Sequence, residues 1–200
     1  MGFNFDGDEA FFAIFRYGAR ELPLAMALAN AFSTSMLPEV ATNLQFSLKI
    51  IKEKSVKLLH LLFPISIVAM LSSSFLFPLV FNESFSDSAI IFNVFLLVII
   101  SRLIFPQTIL IGLGENKMVL LFSIIELGFN IALSFVFVQH WGLAGIAMGT
   151  VIAFFMEKLM MAIFLYTRFR ISPGQYCHLN IFAVYSLLLL TSFLVSTVYF

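Results

Sequence analysis

Charge is scarce in this 200-residue chain. Only 11% of residues are Asp, Glu, Lys or Arg, against about a quarter in ordinary soluble domains. The 11 basic and 11 acidic side chains cancel to zero net charge, which gives a nucleic-acid partner no support. Cysteine is nearly absent. The single Cys177 excludes an internal disulfide and a multi-cysteine metal site. Beside His178 in a polar joint, it reads as a solvent-facing residue of no consequence. The three histidines, His60, His140 and His178, stand far apart at the edges of apolar stretches. No Asp-rich pair suggests a prenyl-diphosphate metal site, and no glycine-rich phosphate loop follows a strand. No catalytic constellation emerges, so an enzyme is the weaker class, and neither a cofactor nor a metal is implied. The opening Met1-Gly2-Phe3 lacks the basic region and small-residue cleavage site of a signal peptide. Asp6 stands where a myristoylation motif needs Ser or Thr.

Apolar residues fill the space that charge leaves. They make up 61% of the chain, and the mean hydropathy is +1.04. Six stretches emerge, at about 10–43, 57–81, 88–112, 117–139, 142–166 and 179–200. Each reaches the roughly 20 helical residues that cross a bilayer. Cations fall in alternate joints: Lys49, Lys52, Lys54 and Lys57 in the first, Lys117 in the third, Arg168 and Arg170 in the fifth. The second joint, Asn82 to Asp87, and the fourth, Gln139 to Gly142, have no Lys or Arg. The positive-inside rule then predicts a multi-pass protein with cytoplasmic basic joints and both termini outside. Asp6, Asp8, Glu9, Glu83 and Asp87 all fall on the outer side of that assignment. A chain that starts outside without a signal sequence reads as an interior joint, or one half, of a longer transporter.

Helix is the structure expected for the spans, because lipid leaves backbone groups no other partner. Pro23, Pro38, Pro64, Pro78 and Pro106 lie in or at the ends of spans, where they kink helices. Gly112-Leu113-Gly114 is expected to end the third span. Trp141 and His140 mark an outer interface. Gly145 and Gly149, with neighbouring alanines, form a small-residue surface on which helices approach closely. The 26 phenylalanines read mostly as lipid-facing bulk.

Ionisable residues inside spans usually face a bundle interior or a watery cavity. Arg16 and Arg20, four apart, share one helix face that continues through Pro23 and Ala27 toward Asn30 and Thr34. Two readings stand: a cationic cavity surface that matches phosphate oxygens, or arginines that snorkel to the headgroups. Arg102, with Ser101, Pro106 and Gln107 nearby, lies deep in an apolar run. It faces a cavity or an internal ion pair. Ser123, Glu126, Asn130 and Ser134 are spaced on one helical stripe, and Glu126 is the natural partner for Arg102 if the third and fourth spans pack antiparallel. Glu157 and Lys158 are placed toward the inner end of the fifth span, with Lys158 able to reach headgroups.

Several runs carry a resemblance. They are Phe12-Ala13-Ile14-Phe15-Arg16-Tyr17-Gly18-Ala19-Arg20-Glu21-Leu22-Pro23 with Ser35-Met36-Leu37-Pro38-Glu39, then Ile100-Ser101-Arg102-Leu103-Ile104-Phe105-Pro106-Gln107 with Gly112-Leu113-Gly114, and finally Gly142-Leu143-Ala144-Gly145-Ile146-Ala147-Met148-Gly149-Thr150. Over residues 10–166 the chain resembles the polysaccharide and O-antigen (lipid-linked oligosaccharide) flippases. These belong to the MATE-like superfamily of multidrug, oligosaccharidyl-lipid and polysaccharide exporters. The resemblance implies an all-α integral membrane fold, six transmembrane helices forming the C-terminal lobe of a two-lobe transporter in the cell (inner) membrane. It implies alternating-access transfer of an undecaprenyl-diphosphate-linked glycan from the inner to the outer leaflet. Arg16, Arg20 and Arg102 would hold its diphosphate and acidic sugars, with Glu126 and Asn130 beside them. The N-terminal lobe is missing from this sequence, so transport would need that lobe or a second copy. The alternatives are a cation-coupled multidrug antiporter of the same superfamily, with Glu126 as the coupling acid, and a non-transporting membrane scaffold subunit.

Overall fold

A computed structural model describes the backbone of residues 5–19, 22–80 and 86–199, and the side chains of 12–19, 22–80 and 88–197. Every described element is a helix, and they follow in the order α1 (Phe5–Gly18), α2 (Pro23–Thr42), α3 (Leu44–Val80), α4 (Ser86–Leu96), α5 (Val98–Arg102), α6 (Pro106–Gly112), α7 (Asn116–Phe169), α8 (Pro173–Tyr176) and α9 (Leu179–Tyr199). Proline sets several boundaries. Pro23, Pro106 and Pro173 begin α2, α6 and α8, where the missing N–H would have had no helical partner.

Among the described residues, three helices are long and apolar enough to cross a membrane: Leu44–Val80, Asn116–Phe169 and Leu179–Thr197. The bent pair Ser88–Arg102 and Pro106–Gly112, angled by 45°, makes a fourth when taken as one span. The expected all-helical, apolar architecture therefore holds, but the boundaries differ from the six uniform stretches in four places.

The first stretch is not one helix. α1 stops at Gly18, and Leu22 is extended, with φ −59° and ψ 114°. The face drawn through Arg16, Arg20, Ala27 and Asn30 is therefore interrupted. The first basic joint is helical, because α3 starts at Leu44 and carries Lys49, Lys52, Lys54 and Lys57 within its 37 residues. At 1.5 Å per residue that helix is roughly 55 Å long, well beyond a hydrocarbon core of about 30 Å. The third stretch breaks at Leu97 and again at residues 103–105, ahead of Pro106. Finally, the fourth and fifth stretches form the continuous α7.

That 54-residue run is bent back on itself at Gly142, whose φ of 56° and ψ of −137° are not helical. Glycine is required there, since a Cβ disfavours this region. Contacts across the turn show the reversal. Thr150 bonds Asn130, and Ser123 bonds Glu157, pairs that a straight helix would hold far apart. A methyl group at Gly145 would strike the Phe137 carbonyl, and one at Gly149 would lie 2.8 Å from Ser134 N. The limbs 116–141 and 143–169 thus touch through the small-residue surface read from the sequence. Trp141 is exposed at the tip, edge-on to Phe137.

α3 is the centre of the packing, in contact with α2, α4, α8 and α9. Its Ile51, Leu59, Leu62, Phe63 and Met70 are completely buried. α6 lies along α2, where Gly112 lets the backbone close on Val40. α4 lies along α1, where the Ser88 hydroxyl donates to the Ile14 carbonyl at 2.9 Å. Phenylalanine serves both environments. Phe63, Phe105 and Phe122 are in the core, whereas Phe75 and Phe135 are 71% exposed.

Candidate functional site

The polar side chains of the apolar helices converge where α2, α5, α6 and α7 meet. Lys158 is at the centre. Its ammonium donates to Gln107 Oε1 at 2.6 Å and to Glu157 Oε2 at 2.9 Å. The other Glu157 oxygen, Oε1, accepts from the Ser123 hydroxyl at 2.8 Å. Both Glu157 and Lys158 are 6% exposed, so the expectation that Lys158 reaches headgroups is overturned. The reason is geometric. The second limb of α7 runs to Phe169, which places these residues near its midpoint, too far from either end for a lysine stem. Buried ions persist only when paired and hydrogen-bonded, and Gln107, Ser123 and the pair itself meet that demand.

Beside this pair lies a small polar cavity of about 50 Å³, bordered by Asn30, Ser33, Arg102, Gln107, Thr108 and Lys158. Ser33 and Thr108 share a hydroxyl hydrogen bond of 2.6 Å on its wall. Arg102 is half-buried, with its guanidinium carbon 4.8 Å from the centre of the Phe154 ring. Such stacking suits a weakly hydrated planar cation. The break at Leu103 and Phe105 allows this arrangement: it ends α5 at Arg102 and restarts the chain at Pro106, so that Arg102 and Gln107 border one cavity.

The stripe along the first limb of α7 is present as spaced. Asn130 Nδ2 donates to Glu126 Oε1 at 3.4 Å, and Asn130 Oδ1 accepts from Ser134 at 3.2 Å and from Thr150 at 3.4 Å. Arg102, Glu157 and Lys158 lie within electrostatic reach of Glu126. The ladder therefore ties the two limbs together beside the cavity. Arg16 is exposed on the last turn of α1 and is not among the residues around the cavity. Arg20 lies outside the described residues.

Ser33 and Thr108 are not among the residues the sequence singles out, and Lys158 is singled out only as a residue able to reach headgroups. Lys158 carried a signal, since an adjacent Glu-Lys pair inside an apolar run demands internal partners. Ser33 and Thr108 carried none, because isolated hydroxyls recur throughout these helices.

Cys177 is also corrected. It is 3% exposed rather than solvent-facing. Burial pushes its thiol up to about 11, against a smaller opposing pull from Lys52. Burial likewise raises the neighbouring Tyr176 phenol. Lys52 pins this corner by donating to the Gly174 carbonyl at 2.6 Å. Comparison with known proteins gives no matching family model, no matching curated relative and no matching solved structure.

Proposed function

We propose that this chain is one lobe of a membrane transporter that moves a lipid-linked oligosaccharide or polysaccharide precursor between leaflets by alternating access. The observation that carries the reading is the cavity between α2, α6 and α7, with Arg102 and Lys158 on its wall beside Asn30, Ser33, Gln107 and Thr108. Guanidinium, ammonium, amide and hydroxyl donors at one polar opening among apolar helices suit phosphate oxygens. Lys158 is shared with Glu157, and Arg102 borders the same cavity. The six crossings proposed for such a lobe require α1 and α2 to act as one broken span and each limb of α7 to cross separately. Cytoplasmic placement of the basic ends follows from their alternation. A facing lobe, or a second copy, completes the enclosure.

Surface display of the glycan in cells lacking the native gene tests the proposal. Arg102→Ala is expected to lower display at least tenfold at unchanged protein level, and Arg102→Lys to restore part of it. Full display by both variants would sink the assignment.

A second reading is ion-coupled antiport, favoured by the placement of Glu126, an intramembrane acid, next to Asn130 and within reach of Arg102. It predicts proton- or sodium-driven efflux of a cationic dye that disappears in Glu126→Gln.

A further inference from the structure

A second, larger cavity lies between α5, the second limb of α7 and α9. The second limb places Met148, Val151, Ile152, Phe155, Leu159 and Ala162 at spacings of three and four, which form one stripe. From 148 to 162 it is roughly 21 Å long. Opposite stand Phe182, Ser186 and Leu190 of α9. The part of the stripe from Met148 to Phe155, these α9 residues and Leu97, Ile100 and Ser101 bound a groove of about 430 Å³. A further pocket of about 140 Å³ shares Phe155 and Phe182 with it and extends to Pro173, Tyr176 and Leu179.

The walls are apolar apart from Ser101, Ser186 and, in the smaller pocket, Lys158, which suits hydrocarbon; the Ser186 hydroxyl is buried without a partner among the described residues. The far end is different. Tyr176 is 1% exposed, and its hydroxyl has no hydrogen-bond partner among the described residues. A buried hydroxyl without a partner is costly, and one on a pocket wall offers a donor to whatever fills the pocket. The same corner is basic. Lys52 bonds Gly174, two residues from Tyr176, and Arg168 and Arg170 are exposed at the end of α7. Clusters of this kind next to apolar helices attract anionic headgroups.

We propose that this groove holds one acyl chain of an anionic glycerophospholipid, with the ester carbonyl accepting a hydrogen bond from the Tyr176 hydroxyl and the headgroup near Lys52, Arg168 and Arg170. The three parts of that ligand occur in the order the structure presents them: an apolar trough, a buried unpartnered hydroxyl at its far end, then cations. The site rests on the membrane character of the helices and is independent of the transport proposal.

The test uses the whole chain in maltoside micelles, with Trp141→Phe throughout so that one indole remains. Phe155→Trp places that indole on the groove, and Val195→Trp places it on the outward side of α9. Phosphatidylglycerol with brominated chains is the quencher. Half-quenching at position 155 is expected at about tenfold less lipid than at position 195. Tyr176→Phe is expected to raise the requirement at position 155 about threefold for the diester lipid and to leave the ether-linked analogue unchanged. Equal lipid dependence at positions 155 and 195 would overturn the site. An equal shift for ester and ether lipids would overturn the carbonyl contact. A doubled particle size with no quenching at position 155 would assign the groove to a second copy instead. Native mass spectrometry of the unaltered chain gives a reading that no variant's misfolding can obscure: it is expected to retain one phosphatidylglycerol, and complete loss at mild activation also refutes the site.

Discussion

Lys158 is the residue on which the interior depends most. It is buried with Glu157 and bonded to Gln107. Removal of one member of a buried pair leaves an uncompensated charge, at a cost of about 3–5 kcal/mol, whereas replacing both is often close to neutral. Lys158→Met alone should therefore lose about 3–5 kcal/mol in denaturant titration in micelles, and Glu157→Gln/Lys158→Met should recover most of that loss. A double variant no better than the single one would show that the pair is not the unit. Cys177 allows a prediction from pH. Its thiol is pushed from 9.0 up to about 11 by burial, so the folded protein keeps a proton that the unfolded chain loses above pH 9. Stability from this group is complete below about pH 9 and declines as pH rises toward 11, because the folded state binds more protons across that window. Maleimide labelling of the folded protein should be negligible at pH 7.5 and quick in dodecyl sulfate. Fast labelling of the folded state would mean that the corner around Lys52 and Gly174 opens.

Among the elements, the hairpin of α7 is the most exacting. Its turn is held at one residue, Gly142, with φ 56° and ψ −137°. A Cβ there costs about 1–3 kcal/mol, and Gly142→Ala should lower the unfolding midpoint in micelles accordingly. Gly128→Ala is the control, since it lies mid-limb with nothing within 4 Å of the added methyl, and it should be neutral or slightly stabilising through helix propensity. Equal losses in both would remove the special role of the turn. At the other end of this helix, Arg170 takes a left-handed conformation, with φ 59°. Arg170 N and Ile171 N close the helix onto Tyr166 O and Leu165 O, both at 3.2 Å, in the manner of a Schellman stop. The residues from 171 onward can then turn back under α3 to Lys52.

At the scale of the whole molecule, the alternation of cations predicts sidedness. In a Cys177→Ala background, Gln139→Cys at the α7 turn should label with an impermeant maleimide from outside intact cells. Lys54→Cys, on the extended start of α3, should label only after permeabilisation. The opposite pattern would invert the chain and move the basic ends out of the cytoplasm. Such labelling also bears on both proposed sites, since it sets the leaflet nearest Tyr176 and the side from which the Arg102 cavity is approached.

Several features were legible in residue order alone. Long apolar runs dictate helices, because no other secondary structure satisfies its own backbone in lipid. Glycine marked the tight limb contact at Gly145 and Gly149, and the spacing of Ser123, Glu126, Asn130 and Ser134 placed them on one face; Pro23 and Pro106, expected only to kink the first and third spans, instead begin α2 and α6. Those are local properties, fixed by the period of the helix and by steric volume. The interior of the site was decided elsewhere. Whether Lys158 reaches outward or inward depends on what surrounds it, and the surroundings come from α2, α6 and the opposite limb of α7; Gln107 lies 51 residues away in sequence and the α2 residues farther still. The same holds for Cys177, polar by its sequence neighbours yet buried because α8 docks against α3. Periodicity determines which side chains share a face; only the packing of one helix on another determines whether that face meets lipid, water or a buried partner.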